Sequence, residues 1–87
     1  MDVRKKKLKF RACRRGFREL DLFMEAFADE RLADMSESEL DQFEAILDLP
    51  DQDVYAWILG REAPPANLRS EVLDQILSFE YPGARTH

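Results

Sequence analysis

Leu20, Phe23, Met24, Phe27 and Ala28 recur at i, i+3, i+4, i+7 and i+8, a spacing that falls on one face of a helix and on neither face of a strand. This stripe marks a central core helix running from Gly16 onward. Every other readable segment has the same period. Met35-Ser36-Glu37-Ser38-Glu39-Leu40 is a helix start: Ser36 can cap the Glu39 amide, Glu39 can reach back, and Met35 can staple onto Leu40. Leu40, Phe43, Ile46 and Leu47 then form a buried stripe. Pro50-Asp51 ends that helix and opens another, with Val54, Trp57 and Ile58 inward and Gly60 as a left-handed cap. Pro64-Pro65 interrupts the chain. Asn67 can cap a last helix carrying Leu68, Val72, Leu73, Ile76, Leu77 and Phe79, stopped by Pro82-Gly83. Val3 to Arg14 has good helix formers, although Leu8, Phe10, Ala12 and Cys13 do not make one clean stripe. The expected fold is all-α: a compact bundle of about five short helices in a single domain, residues 1–83, with residues 84–87 as a frayed tail.

The chain has 87 residues, 45% of them hydrophobic and 36% charged, which is the composition of one soluble globular domain. A domain of this size buries only roughly 60–65% of its unfolded surface, which disfavours a deep closed cavity. No apolar run approaches the roughly 20 residues of a membrane span, and the basic start lacks the apolar segment of a secretory signal. A single cysteine, Cys13, permits no internal disulfide and fits a reducing compartment. An arginine-rich start can mimic a mitochondrial transit peptide, but residues 1–14 read as part of the domain. The expected location is the cytoplasm of a bacterium.

Catalytic chemistry finds little support. The one histidine, His87, is the C-terminal residue, so no Ser-His-Asp or Cys-His pair and no Cys/His zinc set can be assembled on an ordered scaffold. Gly16, Gly60 and Gly83 are too scattered for a phosphate-cradling loop. The many carboxylates read as solvated polar faces of helices. Cys13 admits two readings, a thiolate favoured by Arg11, Arg14 and Arg15 or, preferred, a small partly buried thiol without a redox role. No catalytic, cofactor-binding or metal-binding residue is expected.

Charge divides the chain sharply. Residues 1–18 hold nine Lys/Arg against Asp2 alone, and the remainder holds four Lys/Arg against 17 Asp/Glu, so +8 and −13 give the net −5. A basic arm with Leu8, Phe10 and Phe17 interleaved could lie on a phosphate backbone, but the sequence pI of about 4.8 describes a surface that repels the same polyanion. Nucleic acid is therefore not an expected partner. The simpler account is a basic first helix packed beside acidic neighbours. Gly16 stands at the border. It can end one helix in a left-handed turn with Glu19 in the next first turn, on the helix dipole, leaving Arg15 and Glu19 merely paired. It can equally let a partner's backbone approach closely between Arg15 and Glu19.

Arg15-Gly16-Phe17-Arg18-Glu19 is an Arg-Gly-x-x-Glu core flanked by Arg14 and Leu20-Asp21, and it resembles the signature of the succinate dehydrogenase flavinylation factors of the SdhE or YgfY type. Phe10-Arg11 before it, and Phe27, Asp51-x-Asp53, Trp57, Gly60 and Pro64 after it, follow that pattern in order and spacing. The resemblance implies a small helical chaperone, not an enzyme. Such a chaperone binds the flavoprotein subunit of succinate dehydrogenase, and often of fumarate reductase, and promotes covalent attachment of FAD to a histidine of that subunit. FAD would belong to the client. Arg15, Gly16 and Glu19 would be the contact motif, with Arg11, Arg14 and Asp21 as flanking contacts, and the chain is expected to be a monomer. The alternatives are a helical adaptor or antitoxin-like interaction module and, below it, the basic-arm nucleic-acid binder.

Overall fold

The computed structural model describes residues 3–14 and 17–79. Among these the chain forms five α-helices: α1 (Val3–Ala12), α2 (Arg18–Arg31), α3 (Glu37–Leu47), α4 (Asp51–Ile58) and α5 (Glu71–Ser78). Two single-turn 3-10 helices, Leu32–Asp34 and Ala66–Leu68, sit in the connections. The all-α expectation holds, with no strand among the described residues. The Pro82-Gly83 stop and the tail 84–87 lie outside the described residues.

The periodic apolar positions build one core. Leu20, Phe23, Met24, Phe27 and Ala28 of α2 are all buried, as are Leu40, Phe43, Ile46 and Leu47 of α3. Phe27 is the hub of an aromatic cluster: its ring centroid lies 5.9 Å from Phe43 and 5.4 Å from Phe79, which also meets Phe23 edge-on at 5.5 Å. Trp57 and Val54 of α4 are buried as anticipated, whereas Ile58 is only partly covered.

The helix ends follow local chemistry. Ser36 Oγ accepts the Glu39 N–H at 3.2 Å and Glu39 Oε1 accepts the Ser36 N–H at 3.0 Å, a reciprocal capping box that satisfies two otherwise unpaired donors. Glu39 also accepts from Gln75 Nε2 at 3.1 Å, and Gln42 Oε1 accepts the Val72 N–H at 3.0 Å; both bonds join α3 to α5. The backbone N–H of Ser36, together with Gln75, holds the Glu39 carboxyl below its ordinary pKa. Met35 and Leu40 both enter the core, consistent with the staple.

Two boundaries differ from the sequence reading. The last helix begins at Glu71, not after Asn67: Ala66–Leu68 forms a separate 3-10 turn and Arg69 is extended. Ser70 is the real cap, its Oγ accepting the Leu73 N–H at 3.2 Å. The physical reason is that a serine in extended backbone supplies the acceptor where the buried Val72-Leu73-Ile76 stripe begins, leaving Leu68 half-buried outside it. Helix α1 is also shorter than Val3 to Arg14, closing at Ala12 with Cys13 in a turn.

Gly60 ends α4 at φ +77. Its N–H bonds the Trp57 carbonyl at 3.1 Å and the Arg61 N–H bonds the Ala56 carbonyl at 2.9 Å, the paired bonds of a Schellman cap that needs a left-handed residue. A Cβ at Gly60 would meet nothing within 4 Å, so only the backbone conformation opposes a side chain. Gly60→Ala should therefore lower stability by about 1 kcal/mol, a fall in melting temperature of about 4–8 °C. Thermal denaturation of the variant checks this.

Candidate partner-binding face

The charge division seen in the sequence becomes a clamp. Along α3 and its C-terminal cap, Glu37, Asp41, Glu44 and Asp48 fall at i, i+4, i+7 and i+11, and all four meet α1 arginines. Arg4 bonds Glu37 at 2.8 Å, Asp41 at 2.5 Å and Glu44 at 3.2 Å, and Arg11 bonds Asp48 at 2.5 Å. The Asp41 hydrogen bond is the main cause that raises the Arg4 pKa. On the other side, Asp21, Glu25 and Asp29 are spaced by four along α2, and Lys9 pairs with Asp29, which raises the Lys9 pKa. Lys5 donates to the Ala33 carbonyl at 2.6 Å. The basic helix thus packs between two acidic ones, as the simpler account anticipated, and this holds for Arg4, Lys5, Lys9 and Arg11.

It does not hold for the rest of the run. Among the described residues no carboxylate partner meets Lys6, Lys7, Arg14 or Arg18. Arg14 instead lies over the Phe10 ring, its guanidinium carbon 4.6 Å from the ring centroid, in a cation–π arrangement. Phe10 itself is 61% exposed, far above what a bundle interior would leave. It forms a ridge between two open grooves. One, of about 460 Å³, runs from Phe10, Arg11 and Arg14 to the Leu49-Pro50-Asp51 turn. The other, of about 520 Å³, is lined by Lys6, Lys9, Phe10, Cys13 and Arg14.

The anticipated site residues fall into three groups. Arg11 and Arg14 line a groove together, Arg11 tied to Asp48 and Arg14 stacked on Phe10. Glu19 is exposed in the first turn of α2, where the helix dipole favours a carboxylate, and Asp21 is half-buried beside it. Arg15 and Gly16, with the expected positive φ of Gly16, lie outside the described residues. Phe17 immediately after them caps α2 in extended backbone at φ −136. Its ring meets Tyr55 of α4 edge-on with centroids 4.6 Å apart, so the segment following the glycine is pinned to α4. Neither Tyr55 nor the exposure of Phe10 was visible in the sequence; the aromatic at Phe17 was the one available signal.

The surroundings of Cys13 favour the inert-thiol reading. Burial, aided by the nearby carboxylates of Glu25, Asp29 and Asp21, pushes its pKa up against the opposing pull of Lys9. Among the described residues, the charges acting on the sulfur are mostly carboxylates, which do not favour a thiolate. Among the described residues no cluster of His, Cys, Asp and Glu could hold a metal ion, and no helix is long and apolar enough to cross a membrane.

Residues 6–80 match the family model described as flavinator of succinate dehydrogenase. The chain is 34% identical over 71 residues to a FAD assembly factor SdhE of Coxiella burnetii, covering 82% of this chain and 85% of that protein. It is 37% identical over 68 residues to the FAD assembly factor SdhE of Legionella pneumophila strain Lens, covering 78% and 86% respectively. With the mitochondrial succinate dehydrogenase assembly factor 2 of Danio rerio it shares 31% identity over 81 residues, 91% of this chain but 51% of that longer protein. No solved structure matches significantly.

Proposed function

The chain belongs to the family of flavinators of succinate dehydrogenase, and from that premise we propose that it is an assembly factor for the flavoprotein subunit of that enzyme. It binds the subunit and promotes covalent attachment of FAD, with fumarate reductase as a second client. The single observation that carries this reading is the family match, which runs through the whole Arg-Gly-x-x-Glu segment and both groove walls; it favours this reading over an adaptor, an antitoxin-like module or a nucleic-acid binder. Arg15, Gly16 and Glu19 form the contact motif, with Arg11, Arg14 and Asp21 flanking it.

In this reading the chain is no enzyme and holds no FAD of its own. The attachment chemistry belongs to the client, and the factor acts as a single-domain cytoplasmic monomer spanning residues 1–83. It needs only to prefer one client conformation. A preference of about 1.4 kcal/mol raises the relative population of that conformation tenfold, which one charge-assisted contact can supply. The test is in-gel flavin fluorescence of the client subunit in cells with and without this protein. Equal fluorescence in both refutes the reading.

Tyr55 enters as a positioning residue for the motif. An edge-to-face ring pair contributes about 0.5–1.5 kcal/mol beyond its buried area, and here it holds Phe17, two residues before Glu19. Tyr55→Ala should reduce flavin attachment several-fold while the protein stays helical, and Tyr55→Phe, which keeps the ring, should restore it. Equal attachment with all three proteins would show that the Phe17 anchor is dispensable.

A further inference from the structure

We infer that the outward face of α1, centred on Phe10 and flanked by Lys6, Lys7 and Arg14, is a second docking surface, for an acidic segment of the client that carries an apolar side chain. The inference rests on the flavoprotein reading for the identity of the client and extends the contact beyond Arg15, Gly16 and Glu19.

Three observations converge on this face. The cations of α1 divide cleanly: Arg4, Lys5, Lys9 and Arg11 are engaged within the bundle, whereas Lys6 and Lys7 have no carboxylate partner among the described residues and Arg14 has only the Phe10 ring. Phe10 is exposed together with Val3, at 61% and 68%, and positions 3, 6, 7 and 10 share one face of α1, with Arg14, just past the end of the helix, lying over the Phe10 ring. Of the two grooves beside Phe10, the one lined by Lys6, Lys9, Phe10, Cys13 and Arg14 is mainly apolar and can seat an apolar side chain, while the one toward Pro50 mixes Leu47 and Leu49 with Arg11, Arg14 and Asp51. An aromatic ring stacked with arginine, rimmed by further cations, is the composition of an interface anchor.

The carboxylates around the basic strip narrow what fits it. Carboxylates stand on both sides: Asp29 and Glu25 beside Lys9 and Cys13, and Asp48 and Asp51 at the far groove. A broad polyanion, whether a lipid surface or duplex nucleic acid, would be opposed by those carboxylates and by the net charge of −5. A single acidic polypeptide segment is narrow enough to lie along Phe10 and avoid them. Its carboxylates would pair with Lys6, Lys7 and Arg14, and its apolar side chain would enter a groove.

Two variants test this with the purified flavoprotein subunit of succinate dehydrogenase as probe. Phe10→Ala removes an exposed ring, and Lys6→Glu/Lys7→Glu reverses two exposed charges, so both should melt close to the wild type. Each is expected to weaken association with the subunit at least tenfold and to slow flavin attachment. If the wild type binds the subunit and both variants bind within twofold of it, the α1 surface is overturned while the assembly-factor reading stands. Absence of any wild-type binding or flavin attachment would overturn the reading itself and this surface with it. Vesicles containing anionic phospholipid and random duplex DNA form the remaining arms. Wild-type binding to either that is lost in the charge-reversed variant, with subunit binding unchanged, assigns the face to a polyanion and overturns the acidic-segment proposal.

Discussion

Phe27→Ala should cost about 3–5 kcal/mol of stability, the range for truncating a fully buried phenylalanine in a packed core. The side chain has no exposed surface and stands between Phe43 and Phe79, so its removal empties the junction of α2, α3 and the segment after α5. The chain's 87 residues set the scale, since domains hold about 0.05–0.15 kcal/mol of stability per residue. The loss is therefore a large share of the whole, and the melting temperature should fall by about 12–40 °C. Phe27→Leu keeps most of the volume and should cost less than about 1.5 kcal/mol, so a folded variant remains measurable even where alanine unfolds the protein. Urea denaturation of both reads the difference. An alanine variant within about 1 kcal/mol of wild type would mean that the aromatic cluster is not the centre of the core.

The second large effect is functional and leaves stability nearly untouched. Glu19 is exposed and, among the described residues, takes no part in the ion-pair clamp, so Glu19→Ala should shift the melting temperature by no more than about 2 °C. Arg15→Ala should behave alike. As client contacts, each should cut flavin attachment at least tenfold, and Gly16→Arg should abolish it while circular dichroism stays helical. A double charge swap separates the two meanings of the motif. An intramolecular Arg15–Glu19 pair would survive reversal, whereas a contact to the client would not, so restored flavin attachment in the swapped protein would sink the interface assignment.

Much of this architecture was legible because helical periodicity is a local signal. The stripes of α2 and α3 went to the core residue for residue, and the Ser36–Glu39 box formed as the four-residue spacing requires. Periodicity tells which side chains share a face but not which neighbour that face meets. Glu37, Asp41, Glu44 and Asp48 therefore read as solvated polar surface, although they are the seat of Arg4 and Arg11. The same limit hid Phe10: an aromatic in a basic helix with no clean stripe gives no hint whether it faces core or solvent. Start signals also compete. Asn67 and Ser70 are both good caps, and only the packing of Val72, Leu73 and Ile76 selects the serine. The motif itself was recognisable through family resemblance, because an arginine, a glycine and a glutamate at a helix junction have an adequate structural explanation without any partner.

The clamped basic helix has a kinetic corollary. With Arg4, Lys9 and Arg11 neutralised at short range by acidic stripes, a distant molecule experiences the net charge of −5 and not the +8 of the first 18 residues. Screening erases detail beyond a Debye length of about 8 Å at physiological salt, so the cations of α1 act only after partners are nearly touching. Without steering, encounter with a client is expected at about 10⁵–10⁶ M⁻¹s⁻¹. Under the proposed function, selectivity would then reside in how long the encounter complex survives, with no long-range field to hold the factor on its client.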